Sequence, residues 1–247
     1  MRPATAIKLL RESLATRGVR GTLGVMQRRL KQRPERWRRS RADKAFDAAR
    51  GIETASWVRV PELDTTSANR EHAVRYEPSS VAEFELLMDK LDIDPSEFTF
   101  VDYGSGKGRA LILAAEYPFK RIVGVEFAES LHEIARVNVA TLGDDASRVE
   151  TIHLDATEFD PPLGPLVLYF FHPFDGPALE KVLARIASSL ERDPRPAYVV
   201  LTGPSAFARV VEARGFARVN VEDAGWMIRG VFVASLNGKP KNQLVAE

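Results

Sequence analysis

From Phe98 onward the chain alternates short, almost wholly apolar runs with longer stretches in which apolar residues recur every three or four positions. The first pattern marks strands covered on both faces, and the second marks helices with one buried stripe. Five strands are expected: Thr99 to Tyr103, Arg121 to Glu126, Val149 to Leu154, Leu166 to Phe171 and Tyr198 to Leu201. The helices between them begin near Arg109 (Ala110, Leu111, Leu113 and Ala114 inward) and near Ser130 (Leu131, Ile134 and Ala135 inward). Two more carry Leu179, Val182, Leu183, Ile186 and Leu190, and then Ser205 to Ala213 with Gly215 behind them. Another helix precedes the first strand, with Phe84, Leu87, Met88 and Leu91 on one face. Ser80 with Glu83, and Ser130 with Glu133, have the spacing of capping boxes at two of these starts. Two last strands, Ala217 to Glu222 and Met227 to Ala234, flank a turn at Asp223-Ala-Gly225-Trp226 and predict a hairpin. Trp57, Val58 and Val60 suggest a short strand ahead of Pro61. The whole reads as an α/β chain of five βα units closed by a hairpin.

Charge divides the chain more sharply than hydropathy does. Of the 35 Lys and Arg, 14 lie within residues 1–45, against three of the 34 acids (Glu12, Glu35 and Asp43); the arm carries +11 (14 − 3) and the remainder −10 (21 − 31). The segment is expected to be a basic helical extension, its Trp37 placed for stacking or for an interface. Such an arm suits a polyanion, an anionic membrane surface or an acidic protein, or else docks on the acidic body. Its Arg-rich, acid-poor composition also leaves an organelle transit peptide open, whereas no apolar run is long enough for a membrane span. The 247 residues contain no cysteine, which excludes disulfides and thiolate metal sites, and His72, His132, His153 and His172 lack metal-ligand spacing, so no metal is expected. Three segments follow: arm and polar connection at 1–74, the α/β domain at 75–236, and a loose tail at 237–247.

The chemistry centres on Asp102-Tyr-Gly104-Ser105-Gly106-Lys-Gly108-Arg109, between the first expected strand and its helix. Alternate glycines allow a sharp turn and a close approach by a ligand, and the helix start offers backbone N–H groups. The dinucleotide fingerprint needs a third glycine where Arg109 stands, and a P-loop needs Ser or Thr where Gly108 stands. At the end of the second strand, Glu126 lies 22 residues past Gly104, where a carboxylate can accept both ribose hydroxyls of a nucleoside held over the first loop.

The run Asp102-x-Gly104-x-Gly106-x-Gly108 resembles motif I of the class I S-adenosylmethionine-dependent methyltransferases. With Glu126, Asp155-Ala156 and His172-Pro173-Phe174 following in order, the resemblance extends over about residues 75–235. It is nearest to bacterial relatives of the Dot1-type protein-lysine enzymes. It implies a doubly wound, mostly parallel seven-stranded sheet ending in an antiparallel hairpin strand, with S-adenosyl-L-methionine as cofactor. The implied cofactor-binding set is Tyr76 as a lid, Asp102, Gly104, Ser105, Gly106 and Gly108 at the turn, and Glu126 at the ribose. Phe127, Asp155 and Ala156 belong to the adenine, the Asp155 carboxylate accepting its amino group, and Phe171 completes the set.

His172 and Phe174 are the candidate catalytic residues, His172 as a base or, preferably, a hydrogen-bonding wall. Tyr169, Phe170, Phe171 and Phe174 together can disfavour a charged ammonium by desolvation if they face the acceptor. Enzymes that methylate nucleic-acid amino groups resemble one another in an Asn or Asp followed by Pro-Pro and an aromatic, so His172-Pro173-Phe174 argues against a base as acceptor. The expected activity is N-methylation of a protein or other amine, in the cytoplasm. A small-molecule N- or O-methyltransferase and a non-catalytic nucleotide- or RNA-binding module are the alternatives.

Overall fold

The computed structural model describes Thr16 and residues 38–234. The chain divides into two compact units, Met1–Phe46 and Asp47–Glu247. In the first, residues 38–46 are helical; the rest of the basic arm, Trp37 included, lies outside the described residues apart from Thr16, as does the 237–247 tail.

The second unit is built on seven strands: β1 (Thr99–Tyr103), β2 (Arg121–Glu126), β3 (Val149–His153), β4 (Leu166–Phe171), β5 (Ala197–Pro204), β6 (Phe216–Asp223) and β7 (Met227–Ala234). Their order is β3-β2-β1-β4-β5-β7-β6, with β1 to β5 parallel and β7 antiparallel to both β5 and β6. Every residue of β1 and the first five of β4 are buried, as befits central parallel strands with helices on both faces. The helices are α1 (Val81–Met88), α2 (Arg109–Ala115), α3 (Glu129–Ala140), α4 (Gly176–Arg192) and α5 (Ala206–Ala213).

Aromatic residues fill the space on both sides of β1 and β4. Phe84 of α1 meets Phe100 and Tyr169 at centroid distances of 5.9 and 5.4 Å, while Tyr103 stacks on Phe170 at 4.8 Å with planes 3° apart. Tyr169 and Phe170 are therefore core, each 1% exposed, and are withdrawn from the expected acceptor wall.

Neither expected capping box forms. Ser80 is the N-cap of α1 but its side chain caps nothing, and Glu83 accepts a hydrogen bond from Thr202 Oγ1 at 3.0 Å. α3 begins two residues earlier than that box implies, with Ala128 as its N-cap, and its Ser130 N–H and hydroxyl go to the carboxylate of Asp64, far away in sequence. Local spacing identified the starts, but distant partners supply the hydrogen bonds. Trp57 to Val60 makes only a single bridge, Val58 to Tyr76, and Val60–Glu62 turns into a 3₁₀ helix at Pro61.

Strands β6 and β7 approach most closely at Gly230, where an added β-carbon would lie 2.5 Å from the Asn220 carbonyl oxygen and 2.6 Å from Val221 Cα. Both obstacles are backbone and cannot swing away. Gly230→Ala is expected to destabilise the domain by about 1–3 kcal/mol, as overpacking does, measured by urea unfolding.

Candidate active site

The C-terminal ends of β1, β2 and β3 bring the chemistry-bearing residues to one edge. Glu126 and His153 are register partners at the ends of β2 and β3, and Leu154 N donates to the Glu126 carbonyl at 3.0 Å, so Asp155 begins at the strand end beside Glu126. Between β1 and α2 the chain turns through Gly104, Gly106 and Gly108, with φ of 80°, 54° and 82°. Those values lie in the region that side chains with a β-carbon rarely enter.

The glycines serve the protein's own packing as well as any ligand. A β-carbon on Gly104 would fall 2.4 Å from Pro173 Cβ, and one on Gly106 would fall 2.3 Å from the Tyr76 ring. Most of the N–H groups expected to greet a ligand are also committed: Gly104 and Ser105 donate to the Val125 carbonyl, Gly106 to Glu126 Oε2 at 2.8 Å, and Gly108 to the Ser105 carbonyl. The polar handles left at this edge are carboxylates.

Asp102 and Glu126 are 4% exposed each. Burial holds the Asp102 carboxyl well above the usual carboxylate range, and the neighbouring Glu126 charge adds to it. Burial likewise pushes Glu126 up to about 7, against the N–H groups of Ala128 and Gly106 that favour its ionised form. Each Glu126 oxygen takes one backbone N–H, at 2.8 Å in both cases, and an ionised carboxylate has further lone pairs to offer. The buried Ser105 hydroxyl has no hydrogen-bond partner among the described residues. Two desolvated acids flanking a glycine turn suit a ligand with hydroxyl and cationic groups, because either would relieve the burial of negative charge.

Across this edge runs a strap, residues 47–76, which spacing arguments did not connect to the site. Leu63, 3% exposed, packs with Ala128 and Leu131, and Phe127, Val58, Ala73 and Tyr76 join the same cluster. The Tyr76 ring packs over Gly106, and its hydroxyl donates to the Thr54 carbonyl at 2.9 Å. Asp155 follows the end of β3, and its carboxylate is occupied. Oδ2 accepts from the Ser67 hydroxyl and from Asn69 Nδ2 at 2.9 Å, and Oδ1 from Thr157 N and Oγ1 at 2.8 Å each. Burial disfavours its ionisation, but the donors Asn69, Ser67 and Thr157 outweigh that and hold it below the usual range. Ala156 is buried behind it.

At the end of β4, His172 adopts φ 44°, the only described non-glycine residue with positive φ, and its ring meets Phe207 edge-on at 5.4 Å. Histidine is among the side chains that tolerate this conformation. Burial lowers its pKa, so the imidazole is neutral at pH 7, although Asp175 and Glu77 oppose the shift. Phe171 and Phe174 are half-buried, Phe174 packing on Phe170 and pairing its backbone with Ala73 of the strap. Among the described residues, no His, Asp and Glu are grouped to hold a metal ion, and no helix is long and apolar enough to cross a membrane.

A family model described as a methyltransferase domain matches residues 100–193, less than half of the chain but spanning β1 to α4. No curated protein matches. Among solved structures, the chain is similar to geranyl diphosphate C-methyltransferase from Streptomyces coelicolor A3(2), with 14% identity, 63% of this chain and 77% of that one covered, and a TM-score of 0.48. It is similar to a ribosomal protein L11 methylase from Lactobacillus delbrueckii subsp. bulgaricus, with 16% identity, 70% and 83% covered, and a TM-score of 0.47. A third is phosphoethanolamine N-methyltransferase 2 of Haemonchus contortus, with 18% identity, 60% and 39% covered, and a TM-score of 0.46. The segment matched by the methyltransferase-domain model holds the glycine turn, Glu126, Asp155 and His172, and the methyl donor of that enzyme class is S-adenosylmethionine. These proteins methylate different kinds of acceptor.

Proposed function

We propose that the domain is a class I S-adenosylmethionine-dependent methyltransferase that methylates an amine, on a protein in the first instance, and that it is akin to the bacterial relatives of the Dot1-type enzymes. The observation that carries the cofactor assignment is the pair of buried carboxylates, Asp102 and Glu126, on either side of the glycine turn. Glu126 would take the ribose hydroxyls and Asp102 the ammonium end, with Gly104, Ser105, Gly106 and Gly108 forming the floor and Tyr76 the cover. Phe127 and Ala156 would flank the adenine. Its amino group would reach Asp155 only by replacing Ser67 or Asn69, since all four of that carboxylate's acceptor positions are filled. When bound, S-adenosylmethionine supplies an electrophilic methyl on a sulfonium.

The chain's own contribution at the acceptor is positioning and desolvation. Phe171 and Phe174 supply apolar surface beside His172, and a neutral imidazole there can hold an acceptor N–H or receive its proton. Asp175 near His172 favours a cationic acceptor on approach, whereas the Glu77 charge is paired with Arg75 at 3.0 Å. The basic arm would recruit an acidic partner, and the cytoplasm is the expected setting.

Radiolabelled methyl transfer into a cell lysate tests this directly. Label in protein that survives RNase is the expected result. Label confined to small molecules would move the assignment to a metabolite, and cofactor binding without any label would indicate a binding module.

A pH dependence follows from Glu126. Its carboxyl titrates near 7 when buried and ligand-free, and only the ionised form accepts from two hydroxyls. Affinity for S-adenosylhomocysteine is therefore expected to fall about tenfold between pH 8 and pH 6, with protons released on binding near pH 6. Calorimetry in two buffers of different ionisation enthalpy measures both. Fold stability runs the other way: the native state holds this proton between the unfolded value of 4.5 and about 7, so stability declines as pH rises through that window.

A further inference from the structure

Lys107 and Arg109, the two cations of the glycine motif, both turn toward the strap. Arg109, the first residue of α2, is 1% exposed; its Nε donates to Thr54 Oγ1 at 2.5 Å and its Nη2 to Asp47 Oδ1 at 2.9 Å. The same Asp47 carboxylate accepts from Thr54 N and Ala55 N, at 2.6 Å each, and from Thr54 Oγ1 at 2.7 Å. Thr54 is fully buried. Lys107, 3% exposed, pairs with Glu53 and Ser56, and its ammonium lies 5.7 Å from the centroid of the Tyr76 ring. Asn138 of α3 completes the junction: its Oδ1 accepts from Glu53 N at 2.9 Å, and its Nδ2 donates to the carbonyls of Glu53 and Lys107 at 3.0 and 2.8 Å.

The junction converges on one place. Tyr76 donates to the Thr54 carbonyl, so the residue linking Asp47 to Arg109 also sets the height of the ring over Gly106. A buried guanidinium is tolerated only when its partners are complete, which makes the arrangement all-or-none: strap seated and charges paired, or strap lifted and charges stranded. The far end of the strap is held differently, by the half-buried contacts of Ser67 and Asn69 with Asp155, and these sit where a nucleobase would compete.

We infer that Asp47, Thr54, Arg109 and Asn138 are positioning residues for cofactor binding: they fix the near end of the strap so that Tyr76 closes over the glycine turn, while the Ser67–Asp155–Asn69 end opens to admit the ligand. The inference rests on the cofactor assignment above. It predicts opposite signs at the two ends. Weakening the near end loosens the cover and speeds release, whereas removing donors from Asp155 frees its carboxylate and tightens binding.

The experiment uses the full chain, with S-adenosylhomocysteine as probe. Stopped-flow release is followed by the fluorescence of Trp57, which lies in the strap with the Arg75 guanidinium 4.7 Å from its ring centroid. Thr54→Val keeps the shape but removes the hydroxyl link, and is expected to raise the release rate about tenfold and to speed hydrogen exchange of residues 53–76 in the ligand-free protein. Thr54→Ser, which restores the hydroxyl, is expected to return both to near the wild-type value. Ser67→Ala with Asn69→Ala is expected to raise affinity severalfold. Should wild type bind while Thr54→Val leaves release and exchange unchanged, or should both ends shift affinity in the same direction, the positioning role is overturned. If wild type itself fails to bind by calorimetry, the cofactor assignment falls and this inference with it.

Discussion

Glu126→Ala is expected to weaken S-adenosylhomocysteine binding by about 100-fold or more. The carboxylate is the one group at the end of β2 able to take two ligand hydroxyls, and a hydrogen bond to a charged acceptor is worth about 1.5–3 kcal/mol. Losing two such bonds corresponds to about 3–6 kcal/mol, or at least two orders of magnitude in Kd. The substitution also strips the acceptors from Gly106 N and Ala128 N, so part of the loss reflects a slackened turn. Glu126→Gln separates the two contributions, because the amide can still accept from one N–H while it lacks the charge. Calorimetry should place Gln between wild type and Ala, with the pH dependence gone from both variants. Wild-type affinity in Glu126→Ala would remove the ribose role.

The second large effect is expected at Gly106, where Gly106→Val should abolish measurable binding. Two causes operate together. The backbone sits at φ 54°, where a β-branched residue is strained, and the new β-carbon would lie 2.3 Å from two atoms of the Tyr76 ring. Pairing it with Tyr76→Ala clears the space but leaves the strain. If sterics dominate, the double variant regains binding to the level of Tyr76→Ala alone; if strain dominates, it does not. Because Gly106 N donates to Glu126, the effects of Gly106→Val and Glu126→Ala should add to less than their sum. Undiminished binding by Gly106→Val would show that the ligand does not use this turn.

Much of the architecture was legible because strands buried on both faces leave an unmistakable trace. Leu166 to Phe171 has no polar residue, and it is β4 at the sheet's centre. Helix starts were legible to within two residues, yet the capping partners were not. Ser130 finds Asp64 and Glu83 finds Thr202, contacts between residues 66 and 119 apart in sequence that no local spacing reveals. Side-chain direction was the other gap. Phe170 and Phe171 are neighbours in one apolar run, but successive strand residues face opposite ways, and only the sheet's surroundings decided that Phe170 is fully enclosed while Phe171 is half-buried.

At the candidate site, the glycine turn and Glu126 could be placed from spacing because they belong to one β-turn-α unit and the strand beside it. Asp47, Thr54 and Asn138 carry no such signal, being ordinary polar residues in an irregular segment and on a helix. Arg109 offered a faint one, a charged residue opening an otherwise apolar helix, which implies a buried partner somewhere.

By itself, the sequence determined the order of elements, the class of sheet and the carboxylate-glycine-carboxylate edge, since burial periodicity and backbone freedom are local properties of the chain. Only the tertiary structure decided what lies over that edge. Whether a buried Arg109 finds its acid, whether Asp155 is free or occupied, and which ring covers Gly106 depend on long-range closure of the strap, where each charge is stable only when the whole set of partners arrives together.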